Sequence, residues 1–97
     1  MSHYLTRVEL RDAKSPDDYI SRLHLAMARE GFSKTITDDK GIVYELPTSE
    51  YYKSTSENIE EVIERAKKAA TTTGKRFGVI VGDCSNLKWN CLAVSKK

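Results

Sequence analysis

Tyr4-Leu5-Thr6-Arg7-Val8-Glu9-Leu10-Arg11 alternates along its whole length. Tyr4, Thr6, Val8 and Leu10 fall on one side, and Leu5, Arg7, Glu9 and Arg11 on the other. A period of two with the charges gathered on one side predicts a half-buried strand over residues 3–11. Its apolar row needs a cover, and the sequence downstream supplies two amphipathic helices. The order reads strand, helix, strand pair, helix, strand pair. In a chain of 97 residues, that order fits a small α+β sandwich with both helices on one sheet face. The other face is left bare, so function is expected there and at its rim.

Ser15-Pro16-Asp17-Asp18 predicts the first helix start. Ser15 can cap, Pro16 suits the first helical position, and Asp18 can complete a capping box. Tyr19, Ile20, Leu23, Ala26, Met27 and Glu30 share one stripe, mostly apolar. Arg22 and Arg29 share the opposite face with Leu25 between them, and His24 sits at the border. Gly31 suits a left-handed stop. Residues 32–37 and 42–48 read as two strands about an Asp38-Asp39-Lys40-Gly41 turn. Pro47 makes the second an edge or ends it. Residues 49–55 read as a polar, tyrosine-bearing connection.

The second helix has Ser54 or Ser56 as cap and Ile59, Val62, Ile63, Ala66 and Ala70 as its buried stripe. Glu61–Arg65 and Glu64–Lys68 are spaced as i,i+4 pairs, and Thr71-Thr72-Thr73-Gly74 stops the helix. Phe77 to Asp83 and Leu87 to Val94 read as a closing hairpin. With Ser85-Asn86 as its turn, Phe77, Val79, Val81, Leu92 and Val94 share one side, and Ile80, Trp89, Cys91 and Ala93 the other. Helices can cover only one of these sides. A second copy, the tyrosine-bearing connection or a ligand is expected on the other.

Composition bounds the rest. Residues 1–97 are expected to form a single domain. No apolar run is long enough to span a bilayer, so membrane insertion is not expected. No secretion signal is visible, and Cys84 and Cys91 are the only cysteines, which suits a reducing cytoplasm and free thiols. With only His3 and His24 besides, no structural zinc site can be built at familiar spacings. No cofactor is expected. Net charge is +2, but residues 1–64 carry 8 Lys/Arg and 13 Asp/Glu, whereas residues 65–97 carry 8 Lys/Arg and Asp83 as the one acid. Such asymmetry suits either a basic patch facing a polyanion or ordinary solvation.

Arg22-Leu23, Met27, Phe32-Ser33, Asp38, Gly41-Ile42 and Leu46 run in an ungapped order that resembles the GhoS antitoxin family of type V toxin–antitoxin pairs. The Tyr-Leu-Thr-Arg-Val-Glu-Leu strand and the Gly-Ile-Val-Tyr-Glu-Leu-Pro-Thr segment look like its shorter enterobacterial members. The likeness covers roughly residues 4–50. It implies a ferredoxin-like β-α-β-β-α-β(-β) core. It also implies an endoribonuclease that cuts the single-stranded messenger of a small membrane-damaging toxin without a metal. One departure is that a basic residue which the family is thought to need on the first helix falls on His24, whereas Arg22 is kept.

Metal-independent RNA cleavage needs a base for the 2′-hydroxyl, an acid for the leaving oxygen and positive charge at the phosphate. His24 has the intrinsic pKa for acid–base work, and Arg22 and Arg29 suit a phosphate; His24 and Arg22 are the candidate catalytic residues. The alternative is that Arg22 pairs with Asp18 and His24 merely edges the core. Arg7, Arg11 and Trp89 are expected on the bare face as a platform for unstacked bases, or as solvated surface and a dimer contact. Lys75 and Arg76, with Lys67 and Lys68, suit the RNA backbone. Glu9 and Asp12 are a weaker candidate pair for magnesium. The alternative function is a non-catalytic RNA- or protein-binding module, dimeric through the open sheet.

Overall fold

A computed structural model describes residues 2–12 and 14–84, with Ile20 described by its backbone alone. The opening alternation is strand β1, Ser2–Leu10. Tyr4, Thr6, Val8 and Leu10 are all at most 4% exposed, while Arg7 and Glu9 are open to solvent. β1 is the middle strand of a three-stranded antiparallel sheet in the order β4-β1-β5, with β4 at Glu50–Thr55 and β5 at Phe77–Asp83.

Two helices cover the Tyr4–Leu10 row. The first, α1, is π-helical over Asp18–Leu23 and α-helical over His24–Arg29. Its start differs from the capping box read from sequence. Asp18 accepts the Lys14 N–H on its carboxylate at 2.8 Å, with the Ser15 backbone N–H as a lesser partner. The backbone N–H of His24 donates to the Tyr19 carbonyl, five residues back, which is the wide π winding. Leu23, Ala26 and Met27 are buried and Leu25 is exposed, as the stripe predicts. Gly31 ends the helix at φ 89°.

The second helix, α2, spans Ile59–Thr71. Neither serine caps it. Asn58 does, in a reciprocal box: its Oδ1 accepts from the Glu61 N–H at 2.9 Å, and Glu61 Oε1 accepts from the Asn58 N–H at 3.1 Å. Such a cap contributes about 1 kcal/mol. Val62, Ala66, Ala69 and Ala70 are buried against the sheet and α1, whereas Ile59, expected on the same stripe, is exposed in the first turn. The small alanines let α2 lie close to β1 and β5, and each fully buried Leu or Met that they enclose contributes roughly 1.5–3 kcal/mol.

Strands β2 (Thr35–Thr37) and β3 (Val43–Glu45) form a separate hairpin. Its turn is closed by Asp38, whose Oδ1 accepts from the N–H groups of Lys40 and Ile42 at 2.9 Å each. Both strands are shorter than expected. Ser33, just before β2, bridges Tyr52 on the outer edge of β4.

The 49–55 stretch is the main correction. It is no connection but strand β4, paired with β1 from Ser2↔Thr55 to Arg7↔Glu50. Its alternation is disguised by an inward lysine. Lys53 is 8% exposed, yet its ammonium donates to the Glu30 carbonyl at 2.6 Å, lies 3.4 Å from Glu57 and sits over the Phe32 ring. A buried charge so partnered reads as polar surface in sequence and as core in space. Phe77, Val79 and Val81 of β5 pack on the core, as expected, and Ile80 points out. The predicted partner strand from Leu87 to Val94, with Trp89 and Cys91, lies outside the described residues.

Candidate active site

β4 carries Tyr51 and Lys53 to the covered side of the sheet and Tyr52 to the bare side. Tyr51 stands opposite Thr6 in the ladder and is wholly buried. His24 opens the α-helical part of α1 at the border of its buried stripe, where the residue is half-buried. Its Nδ1 lies 2.6 Å from the Tyr51 hydroxyl. The two rings meet edge-on with centroids 5.5 Å apart. Lys34 reaches in from beside the Ser33 bridge, its Nζ 4.9 Å from the centroid of the Tyr51 ring. That ammonium donates to the carbonyls of Leu46 at 3.2 Å and Glu50 at 2.9 Å, and to that of Pro47. Three donors thus meet three acceptors.

The surroundings set the charges of this cluster. Burial pushes His24 below its ordinary value near 6.5, and the Lys34 cation pushes in the same direction. Burial brings the Lys34 ammonium down to about 8, against the opposing pull of Glu50 and Glu45. Burial raises the Tyr51 phenol, with Tyr19 a lesser cause. At neutral pH the cluster is therefore a neutral imidazole, a protonated phenol and a fixed cation. His24 Nε2 makes no hydrogen bond to the protein among the described residues.

Arg22 and Arg29 are both exposed on α1. Arg22 makes no ion pair among the described residues; Asp18, its alternative partner, lies 4.0 Å from Lys75 instead. Arg76 holds Asp12 through Nε at 3.0 Å and Nη2 at 2.8 Å, and that contact draws the Asp12 carboxyl down to about 2. Arg65 pairs with Glu57 and Glu30, Lys68 with Glu30, and Lys67 with Glu64. The expected Glu61–Arg65 and Glu64–Lys68 pairs are replaced by these. Every described basic residue from position 65 onward is thus matched to an acid of the first 64, and the two oppositely charged halves interleave. Lys75 and Arg76 are already paired with carboxylates. Asp12 is also the weaker magnesium candidate, and Arg76 occupies it. Among the described residues, no three His, Cys, Asp or Glu gather in a way that could hold a metal ion.

The bare face is built from alternate residues of the same strands. Arg7 stands opposite Glu50 on one neighbour and Ile80 on the other. Arg7, Glu9, Gly78, Val79 and Ile80 line a shallow hollow of about 220 Å³. Arg11 lies past the strand end with its guanidinium over Gly78, where a side chain's Cβ would come within 3.5 Å of it. His3 stacks on Tyr52 and also bonds its hydroxyl. Trp89 lies outside the described residues. The bare-face arginines and His24 are therefore on opposite sides of the sheet.

Sequence reasoning missed Tyr51 and Lys34. Tyr51 was legible only through the Tyr51/Lys53/Thr55 alternation, which the charged middle residue hides. Lys34 gives no local signal, because its three acceptors lie 12, 13 and 16 residues away. No helix among the described residues is long and apolar enough to cross a membrane. A family model described as endoribonuclease GhoS matches residues 1–88. A search of curated proteins gives no match.

Proposed function

The chain belongs to the endoribonuclease GhoS family, and from that premise we propose that it is a cytoplasmic antitoxin that cuts the single-stranded messenger of a small membrane-acting toxin. The observation that carries this reading is the family match over residues 1–88. The His24 cluster supports it. A neutral imidazole with one nitrogen unbonded among the described residues, on a helix that also presents Arg22 and Arg29, is suited to a phosphodiester and calls for no metal. Arg7 and Arg11 would hold the strand on the bare face, with Trp89 added to that platform. The order β5-β1-β4, extended by the Ser33 bridge beyond β4, supports a ferredoxin-like sandwich.

Purified protein incubated with single-stranded RNA, with and without EDTA, tests this. Cleavage that survives EDTA and falls about a hundredfold in His24→Ala or Arg22→Ala is the expected result. Intact RNA under all conditions rejects it. A second reading rests on Ile80, which is 68% exposed on the bare face: a non-catalytic RNA- or protein-binding module that dimerises through that face. Intact RNA retained in a salt-sensitive way, together with a dimeric mass at high micromolar concentration, would favour that module.

A further inference from the structure

We propose that Tyr51 holds His24 as the neutral imidazole protonated on Nε2, so that His24 meets the RNA phosphate as a hydrogen-bond donor and not as a base. This rests on the RNA-cleaving reading above for its ligand, but its geometry stands alone.

Tyr51 is wholly buried, and a buried O–H that donates to nothing costs roughly 1–3 kcal/mol. Among the described residues, its hydroxyl has one partner, His24 Nδ1 at 2.6 Å. Thr6 stands opposite in the ladder, but its Oγ1 has no hydrogen-bond partner among the described residues. The Lys34 donors are spent on the carbonyls of Leu46, Pro47 and Glu50. The Tyr51 proton therefore has one place to go, and Nδ1 accepts it only when that nitrogen is bare. In a neutral imidazole the ring proton is then on Nε2. The other tautomer, or the imidazolium, places an N–H on Nδ1 and strands the phenol proton.

The charged and titratable neighbours act in the same sense. Lys34, just ahead of β2, opposes a second cation at His24, while Glu45 and Glu50 act on Lys34. Tyr51 faces the ring from β4, and Tyr19 of α1 acts on Tyr51. None of these groups is a carboxylate accepting from His24. The Nε2–H, with no protein partner among the described residues, can bond a non-bridging phosphoryl oxygen and stabilise charge there, with no proton transferred. Tyr51 is thus a positioning residue, and the base for the 2′-hydroxyl is not His24.

The histidine two-bond ¹H–¹⁵N spectrum of the full chain tests this, with His24 assigned by His24→Gln. At pH 7.5 the expected result is a protonated Nε2 and a bare Nδ1. The reverse pattern, or an imidazolium, overturns the proposal. In Tyr51→Phe, which keeps the ring in the core, the two tautomers should average and the His24 midpoint should rise toward its ordinary value. An unchanged spectrum in that variant denies Tyr51 its role. RNA cleavage followed from pH 8 to pH 5.5 should show no limb at the His24 midpoint, because both protonation states present an Nε2–H. A fall of about tenfold per pH unit below that midpoint would identify His24 as the base and overturn the proposal. Failure to cut RNA at any pH would instead reject the nuclease reading, and the spectrum would still decide the tautomer.

Discussion

The two faces of the sheet are made from the same strands, one residue out of step, and they differ in almost every physical respect. On the covered face, Tyr4, Thr6, Val8 and Leu10 meet Leu23, Met27, Val62 and Ala66, and solvent is excluded. On the bare face, Leu5, Arg7 and Glu9 meet Tyr52, Gly78 and Ile80. Stability is concentrated on one face and charged, accessible surface on the other. The His24 cluster joins the wholly buried Tyr51 to the half-buried His24 and Lys34. It sits where the covered face ends, beside the Ser33 bridge. There burial is deep enough to shift its acid–base groups, and one imidazole nitrogen makes no hydrogen bond among the described residues. At such a margin burial shifts titratable groups that neighbouring elements also reach.

The largest effect that tests this contrast is Met27→Ala. Met27 is fully buried, and truncation should cost about 2–5 kcal/mol in denaturant unfolding. A loss under about 1 kcal/mol would mean that the covered face is not the stabilising one. Next comes Arg7→Ala combined with Arg11→Ala. Unfolding should be almost unchanged, while retention of single-stranded RNA weakens and its logarithmic salt slope falls by about 1.4, roughly 0.7 for each lost phosphate contact. Unaltered retention would remove RNA from the bare face.

A smaller effect concerns pH. The folded state keeps His24 below 6.5, so the unfolded chain binds the proton first. Stability from this group is present above about 6.5 and is lost as pH falls through that value toward the lower folded one. His24→Gln should flatten this window in thermal melts, and an identical acid slope in the variant would exclude His24 as its source. The smallest expected change is Ile80→Ser. Ile80 is exposed, so the midpoint should move by no more than about 0.5 kcal/mol. A larger loss would show that the bare face is covered in solution, most simply by a second copy, and sedimentation of both proteins would then differ.

These contrasts also show what the sequence made legible. Where burial follows a single period, as in Tyr4–Leu10 or Val62–Ala70, apolar residues mark the inward face and the reading holds. Arg22, Leu25, Arg29 and Gly31 fall where the helical stripe puts them. His24 at the border was visible too, since a helix edge is set by local spacing. The failures have a shared cause. β4 turns a lysine inward, and its compensation comes from Glu30, Phe32 and Glu57 on other elements. The cap of α2 fell on Asn58 because a reciprocal partner, Glu61, is three residues on, whereas the serines lie within or just past β4. The charge asymmetry was real in sequence, but pairs such as Asp12–Arg76, 64 positions apart, exist only after folding. Tyr51 and Lys34 are of this kind as well. Their chemistry is written by tertiary neighbours, and no window of adjacent residues contains it.

The wide winding at the start of α1 carries a last implication. It places one more residue between Tyr19 and His24 than a regular coil needs, so the segment holds a spare link. Removing Ser21, an exposed residue, would leave the His24 N–H and the Tyr19 carbonyl as partners four apart instead of five, the ordinary α spacing. A chain one residue shorter can therefore keep the imidazole against Tyr51. A change of length is best accommodated at this point, upstream of His24 and without disturbing its contact with Tyr51.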